Sequence, residues 1–184
     1  MADLVGRVSA LAVTAGELPG TAVERLELQL DGAVGDKHFG PTMKANRAQA
    51  PYPKGTQVRN VRQLSIVSAE ELAEVAQRLA LPVIEPTWIG ANLMLAGVPE
   101  LTQLPGGSRV YFEGGAGLVI EGENLPCVIA GGSLAAQTPG REELRTLFPK
   151  HALGKRGLVA WVEKAGVIQR GEQVTVRLAH DVRR

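Results

Sequence analysis

The chain holds one thiol, Cys127, in the run Gly122-Glu123-Asn124-Leu125-Pro126-Cys127, so it has no disulfide partner within the chain. A thiolate is a soft metal ligand, and it is also the nucleophile that takes sulfur from a persulfide donor. A third use, as the nucleophile of a hydrolase, needs an imidazole within hydrogen-bond reach, for which His38 is the candidate. Against these stands the plain reading of a lone cysteine as a small buried hydrophobe.

A second signal concerns anions. Between Gly35 and Ser65 lie Lys37, Lys44, Arg47, Lys54, Arg59 and Arg62 against the single acid Asp36, a local charge of +5 on a chain of net charge +1. A basic, Gly/Pro-rich segment on a nearly neutral protein marks either a local anion site or a solvated loop. The near-zero net charge predicts no nucleic-acid or membrane partner. Arg62 can present a bidentate fork to a phosphate, or it can pair with Asp36 or Glu71. Asp36, following Gly35, reads equally as a turn residue and as a catalytic acid. His38 is either a proton donor or a solvated loop histidine, since imidazoles titrate near neutral pH.

The elements that must position these groups read mainly as strands. Gly6 to Thr14 opens with one, Leu26 to Leu30 alternates at the period of a half-buried strand, and Asp31-Gly32 is a turn. Gly35 to Asn60, with Gly40-Pro41, Pro51, Pro53 and Gly55, reads as a long loop. Leu64 to Val67 is a strand. Ser68 and Glu71 then form a capping box for a helix whose Leu72, Val75, Ala76 and Leu79 share one face and which Pro82 stops. Gly90 to Leu95 enters a further strand, and Val98 to Leu104 is a short linker. Ser108 to Phe112 and Leu118 to Glu121 form a hairpin through Gly114-Gly115-Ala116-Gly117, a turn and not a phosphate loop, because no helix follows it.

Pro126 cannot donate to a ladder, which places Cys127 just past a strand end, where scaffolds present chemistry. Beyond it, Thr138 and Pro139 read as the start of a short helix through Leu144, Leu147 and Phe148, closed by Pro149. Gly154 to Gly157 is a basic turn, and Leu158 to Val162 and Val174 to Leu178 complete the strands. Trp88 and Trp161 read as core or rim packing. His151 and His180 are assigned no role.

Many short strands with two helices predict a mainly β, α+β domain with a barrel-like core. At 184 residues and 45% hydrophobic content, the chain suits a single domain over 1–184. It shows neither a leader-like start nor an apolar run of about 18 residues, and a lone cysteine fits a reducing compartment, so the expectation is cytoplasmic.

The ordered set Gly35-Asp36-Lys37-His38-Phe39-Gly40, Arg62 to Glu71, Gly90-Ala91-Asn92-Leu93, Leu125-Pro126-Cys127, Lys155 to Ala160 and Gly171-Glu172 resembles the MOSC family. These are domains similar to the C-terminal domain of molybdenum cofactor sulfurase, and the resemblance covers about Val5 to Leu178, as in a standalone bacterial-type member. It implies a β-barrel-like fold and a cysteine, matched by Cys127, that either ligates molybdenum in a bound pterin cofactor or carries sulfur as a persulfide. Some relatives reduce N-hydroxylated compounds with the molybdenum cofactor, and others transfer sulfur. On the matched motifs the resemblance implies Lys37, His38, Arg62, Lys155 and Arg156 about the cofactor phosphate, Asn92 at the pterin edge, and Asp36 and His38 beside Cys127 in catalysis.

One cysteine cannot hold an iron–sulfur cluster, which takes about four. A reductase would therefore need a separate electron-donor protein for its small-molecule substrate, and a sulfur carrier would need a sulfur donor. Larger molybdenum-dependent relatives add an N-terminal subdomain for which this chain has no room. Pyridoxal phosphate, which the full sulfurases hold as a lysine Schiff base on another domain, is not expected.

Overall fold

The computed structural model describes residues 3–46 and 51–179. In chain order the elements are β1 (Leu4–Val13), β2 (Thr21–Val23), β3 (Arg25–Gln29), β4 (Gly32–Ala33), β5 (Thr42–Lys44), β6 (Gln57–Arg59), β7 (Leu64–Ser68), α1 (Ala69–Arg78), β8 (Leu93–Ala96), β9 (Arg109–Phe112), β10 (Gly117–Glu123), α2 (Val128–Ala136), α3 (Leu144–His151), β11 (Leu158–Lys164), β12 (Gly166–Gln169) and β13 (Gln173–Arg177).

The main sheet runs β13-β9-β10-β11-β7-β8-β1-β2, and a β13–β1 pairing closes seven of these strands into a barrel. Closure depends on the length of β1. Its first residues, Leu4 to Arg7, pair with β13, its middle pairs with β8, and Leu11 to Val13 pair with β2. The β7–β8 pair is parallel, and α1 lies in the crossover such a pair requires. The expectation of a mainly β, barrel-like fold therefore holds.

Alternation fills the barrel. Leu26 and Leu28 of β3, and Val174 and Val176 of β13, are buried while their neighbours are exposed or half-buried. Strand β7 is buried throughout: Leu64 and Ile66 join the barrel core, while Val67 joins a second cluster with Leu72 and Val75 of α1, Leu134 of α2 and Phe148 of α3. The chemistry-bearing segments flank this doubly covered strand.

The α1 start is as expected: Ser68 Oγ accepts from Glu71 N–H at 3.2 Å, and the helix ends at Arg78, before Pro82. The reciprocal half of the box is absent, because the Glu71 carboxylate instead accepts from the N–H and hydroxyl of Thr102.

Several expectations are corrected. The loop expected over Gly35 to Asn60 contains the β5–β6 hairpin, with Thr42 opposite Arg59 and Lys44 opposite Gln57; strands three residues long carry too little periodicity to be read. Arg47 and His180 lie outside the described residues. The linker Val98 to Leu104 includes a 3-10 turn, Leu101–Gln103, and between the strands expected over Leu158 to Val162 and Val174 to Leu178 lies a further strand, β12, which pairs with β3.

The largest correction follows Cys127. Helix α2 begins at once, and α3 starts at Leu144 behind Glu143, not at Thr138-Pro139, and runs through Pro149 to His151. A Cβ on Gly131 would stand 2.5 Å from Arg145 O, the carbonyl four residues before Pro149 that proline cannot satisfy. Glycine in α2 thus lets the two helices meet at the weak point of α3. Among the described residues no helix is long and apolar enough to cross a membrane.

Candidate functional site

Cys127 is the N-cap residue of α2, exposed and extended at φ −138° and ψ 163°. The segment that delivers it is pinned to the start of β11 by the 2.8 Å bond from Asn124 N–H to Gly157 O. The thiol borders a cavity of about 410 Å³, within the usual range for small-molecule sites of about 300–1,000 Å³. Polar lining comes from Lys37, His38, Asn46, Arg62, Ser65, Asn124 and Arg156, and apolar lining includes Met43, Ile89, Leu125 and Ile129.

Arg156 lies at the floor, only 5% exposed. Its Nη1 donates to Ser65 Oγ at 3.1 Å and its Nη2 to Ile89 O at 2.7 Å. Burial pushes its pKa down to about 10; attraction to a charged Cys127 opposes this and repulsion from Arg62 adds to it. It remains a cation at neutral pH. Burial also lowers Arg62 from the usual arginine range, against the pull of Glu121. Arg62 pairs with neither Asp36 nor Glu71; its Nη2 donates to Asn124 Oδ1 at 3.3 Å. Lys37 Nζ donates to Gly16 O at 3.1 Å. Among the described residues, these three cations line one cavity without a carboxylate at ion-pair distance.

Asp36 is buried and fixes His38, which lines the same cavity. Its Oδ2 accepts from Thr14 N–H at 2.9 Å and Asn92 Nδ2 at 2.7 Å, and its Oδ1 accepts from His38 N–H at 2.9 Å. His38 Nδ1 also stands 2.9 Å from that oxygen. Burial alone would raise the Asp36 carboxyl, but the bonds from the His38 ring and backbone, Thr14 and Asn92 outweigh it and hold the pKa below the ordinary value. An ionised carboxylate only accepts, so Nδ1 carries the proton and Nε2 of this half-exposed imidazole is left to exchange one.

Asp36 does not itself line the cavity, and two further expected site residues are placed elsewhere. Asn92 does not line the cavity: it is buried, its Oδ1 accepting from Ser65 N–H at 3.0 Å and its amide nitrogen serving Asp36 and Ala12 O. Lys155 turns away from Arg156 to pair with Glu74 at 2.9 Å, in a separate cleft with Glu70 and Glu100. The basic window also divides. Lys37 and Arg62 face the cavity, Arg59 lies over the Trp161 ring at 5.7 Å, and Lys44 and Lys54 are exposed. Sequence reasoning missed Ser65 and Asn124; the one signal was a serine inside the otherwise apolar run Leu64-Ser65-Ile66-Val67.

No hydrogen bond joins Cys127 to His38 among the described residues, so the thiol–imidazole pair of a cysteine hydrolase is not formed. Nor do the described residues contain a group of three His, Cys, Asp or Glu side chains able to hold a metal ion. A metal at Cys127 would have to arrive with donors of its own.

The sequence profile of the MOSC domain matches residues 35–175, a span that contains Asp36, Arg62, Ser65, Cys127 and Arg156. The chain belongs to the MOSC family. This MOSC protein is 42% identical over 154 residues, 84% of its own length and 80% of the relative's, to the Bacillus subtilis (strain 168) protein named "Putative metal-sulfur cluster biosynthesis proteins YuaD". The crystal structure of Bacillus subtilis YuaD superposes on the MOSC fold described here with a TM-score of 0.93 at 36% identity, covering 97% of this chain and 99% of that one. YiiM from Escherichia coli, with a TM-score of 0.56 at 17% identity over 96% of this chain and 71% of its own, shares the fold. So does YiiM from Geobacillus stearothermophilus, with a TM-score of 0.58 at 15% identity over 95% of this chain and 73% of its own.

Proposed function

We propose that this MOSC protein binds a phosphate-bearing molybdenum–pterin cofactor in the Cys127 cavity and reduces N-hydroxylated compounds with it. The observation that carries the reading is Arg156, a buried guanidinium with no ion-pair partner among the described residues. Burying a charge without a counter-ion costs several kcal/mol, roughly, and an anionic ligand offsets that cost. Arg62 and Lys37 line the same cavity and extend the positive field toward the exposed thiol.

The donor set fits the cofactor. Cys127 would offer one soft thiolate to the cofactor's metal, and Arg156, Arg62 and Lys37 would hold its phosphate. When bound, the group supplies the redox couple at the metal. Reduction of an N-hydroxyl compound consumes two electrons and two protons and releases the amine and water. His38 Nε2 is the proton-exchanging atom, Asp36 fixes the imidazole through Nδ1, and Arg156 and Arg62 hold the anion. The electrons come from a separate donor protein, because a single cysteine builds no cluster. The test is turnover: protein from a cofactor-producing host, given reduced viologen as electron source, should convert an N-hydroxylated compound to its amine, and Cys127→Ala should not. Equal conversion by the variant would overturn the reading.

A second reading has its own support. Cys127 is exposed at the N-terminus of α2 and lines one cavity with Arg156, a setting that also suits a persulfide, and the name of YuaD links that relative to metal–sulfur cluster biosynthesis. In this chemistry the Cys127 thiolate attacks the outer sulfur of a donor persulfide, the old S–S bond breaks, and the donor leaves as a thiolate. Cyanide-labile sulfur on the wild-type chain without stoichiometric metal would select it.

A further inference from the structure

The site contains a hydroxyl whose bonding is complete on one side only. Ser65 Oγ accepts from Arg156 Nη1 at 3.1 Å and from Asn124 Nδ2 at 3.0 Å. The direction of the second bond is fixed, because Asn124 Oδ1 accepts from Arg62 Nη2 and so turns the amide nitrogen toward Ser65. A guanidinium only donates, so both partners are donors and both lone pairs of the hydroxyl oxygen are taken. Its hydrogen is left over. Among the described residues no acceptor receives it, although Ser65 is only 8% exposed and a buried hydroxyl ordinarily donates. Ser65 lines the cavity, where a ligand oxygen would accept it.

We infer that Ser65 is a ligand-contacting residue: its O–H donates to an oxygen of the bound anion, completing a cradle with Arg156 and Arg62. Two donors pulling on Oγ, one of them cationic, polarise the O–H and strengthen it as a donor. The site therefore selects a ligand oxygen that only accepts, as on a phosphate monoester, over a neutral hydroxyl or amide. This rests on the phosphate-bearing ligand proposed above and gives that ligand's anionic end a fixed place, on β7, one residue from the barrel core. Asn124 is the positioning residue: it fixes both the Ser65 lone pair and the Arg62 fork.

The test uses inorganic phosphate as probe, titrated by calorimetry at low salt into the wild-type chain, Ser65→Ala and Ser65→Thr, with thermal unfolding as the check on folding. The inference predicts about tenfold to hundredfold weaker binding for Ser65→Ala, the loss of one hydrogen bond to a charged group. Ser65→Thr, which keeps the hydroxyl, should stay within about threefold of wild type on the same reasoning. A wild-type crystal soaked in tungstate provides a reading that needs no variant: Ser65 Oγ should stand about 2.5–3.0 Å from an oxyanion oxygen. Unchanged affinity in Ser65→Ala, or an anion seated with Oγ beyond hydrogen-bond reach, would overturn the role of Ser65 while leaving the anion site intact. A wild-type chain that binds neither anion would instead remove the phosphate-bearing reading and the inference with it.

Discussion

Asn92 Nδ2 donates to Asp36 Oδ2 at 2.7 Å, and the Asn92 side-chain oxygen accepts from the N–H of Ser65. Through this amide the imidazole side of the cavity, His38 on Asp36, is held in fixed relation to the cationic side, where Ser65 meets Arg156. Neither half touches the other directly in the hydrogen bonds that define them.

Asp36→Asn tests that linkage through pH. The folded-state pKa of Asp36 is lowered, so its contribution to stability is present above the ordinary aspartate value of about 3.9 and is lost as pH falls through the folded value. Denaturant unfolding should show Asp36→Asn less stable by about 1–3 kcal/mol at neutral pH. The gap to wild type should narrow as the pH is lowered from 4.

Arg156→Gln separates binding from folding. Removing a buried charge that lacks an ion pair relieves a desolvation cost while giving up two hydrogen bonds, so stability should change by no more than about 1 kcal/mol. Phosphate affinity measured by calorimetry should fall at least about tenfold. A large drop in stability with binding preserved would show that Arg156 is structural.

His38→Gln removes the proton-exchanging atom and leaves the cations in place. Turnover of an N-hydroxylated compound should fall by about a hundredfold to ten-thousandfold, the span usual for general acid catalysis, with cofactor content unchanged.

Gly131→Ala should destabilise the α2–α3 contact, since its Cβ would stand 2.5 Å from Arg145 O. An overpacked core position costs about 1–3 kcal/mol, which chemical denaturation resolves. Because α2 begins at Cys127, faster alkylation of the thiol should accompany the loss.

How much of this was legible in the chain depended on whether a segment's signal was local. Ser68 and Glu71 announce α1, and the alternation in Leu26 to Leu30 announces β3, because capping and half-burial are written in neighbouring residues. Helix α2 was hidden: it is apolar on nearly every side and carries Gly131 and Gly132, so it shows neither amphipathic period nor good propensity. Its glycine makes sense only against the Arg145 carbonyl of α3. Within the site, Cys127, Arg62 and Arg156 could be named from motif order, whereas the opposite facing of Lys155 and Arg156, adjacent in sequence, depends on which one Glu74 captures. Ser65 and Asn124 are hard to pick out in the chain because their importance lies in partners 91 and 62 residues away.

The most direct measurement is molybdenum per chain by mass spectrometry, with oxidised-pterin fluorescence on the same samples, for wild type and Cys127→Ala purified from a host that makes the cofactor. The account predicts near-stoichiometric metal and pterin in wild type, and loss of metal in the variant. Wild-type chain carrying neither, with a cyanide-labile sulfur on Cys127, would contradict it.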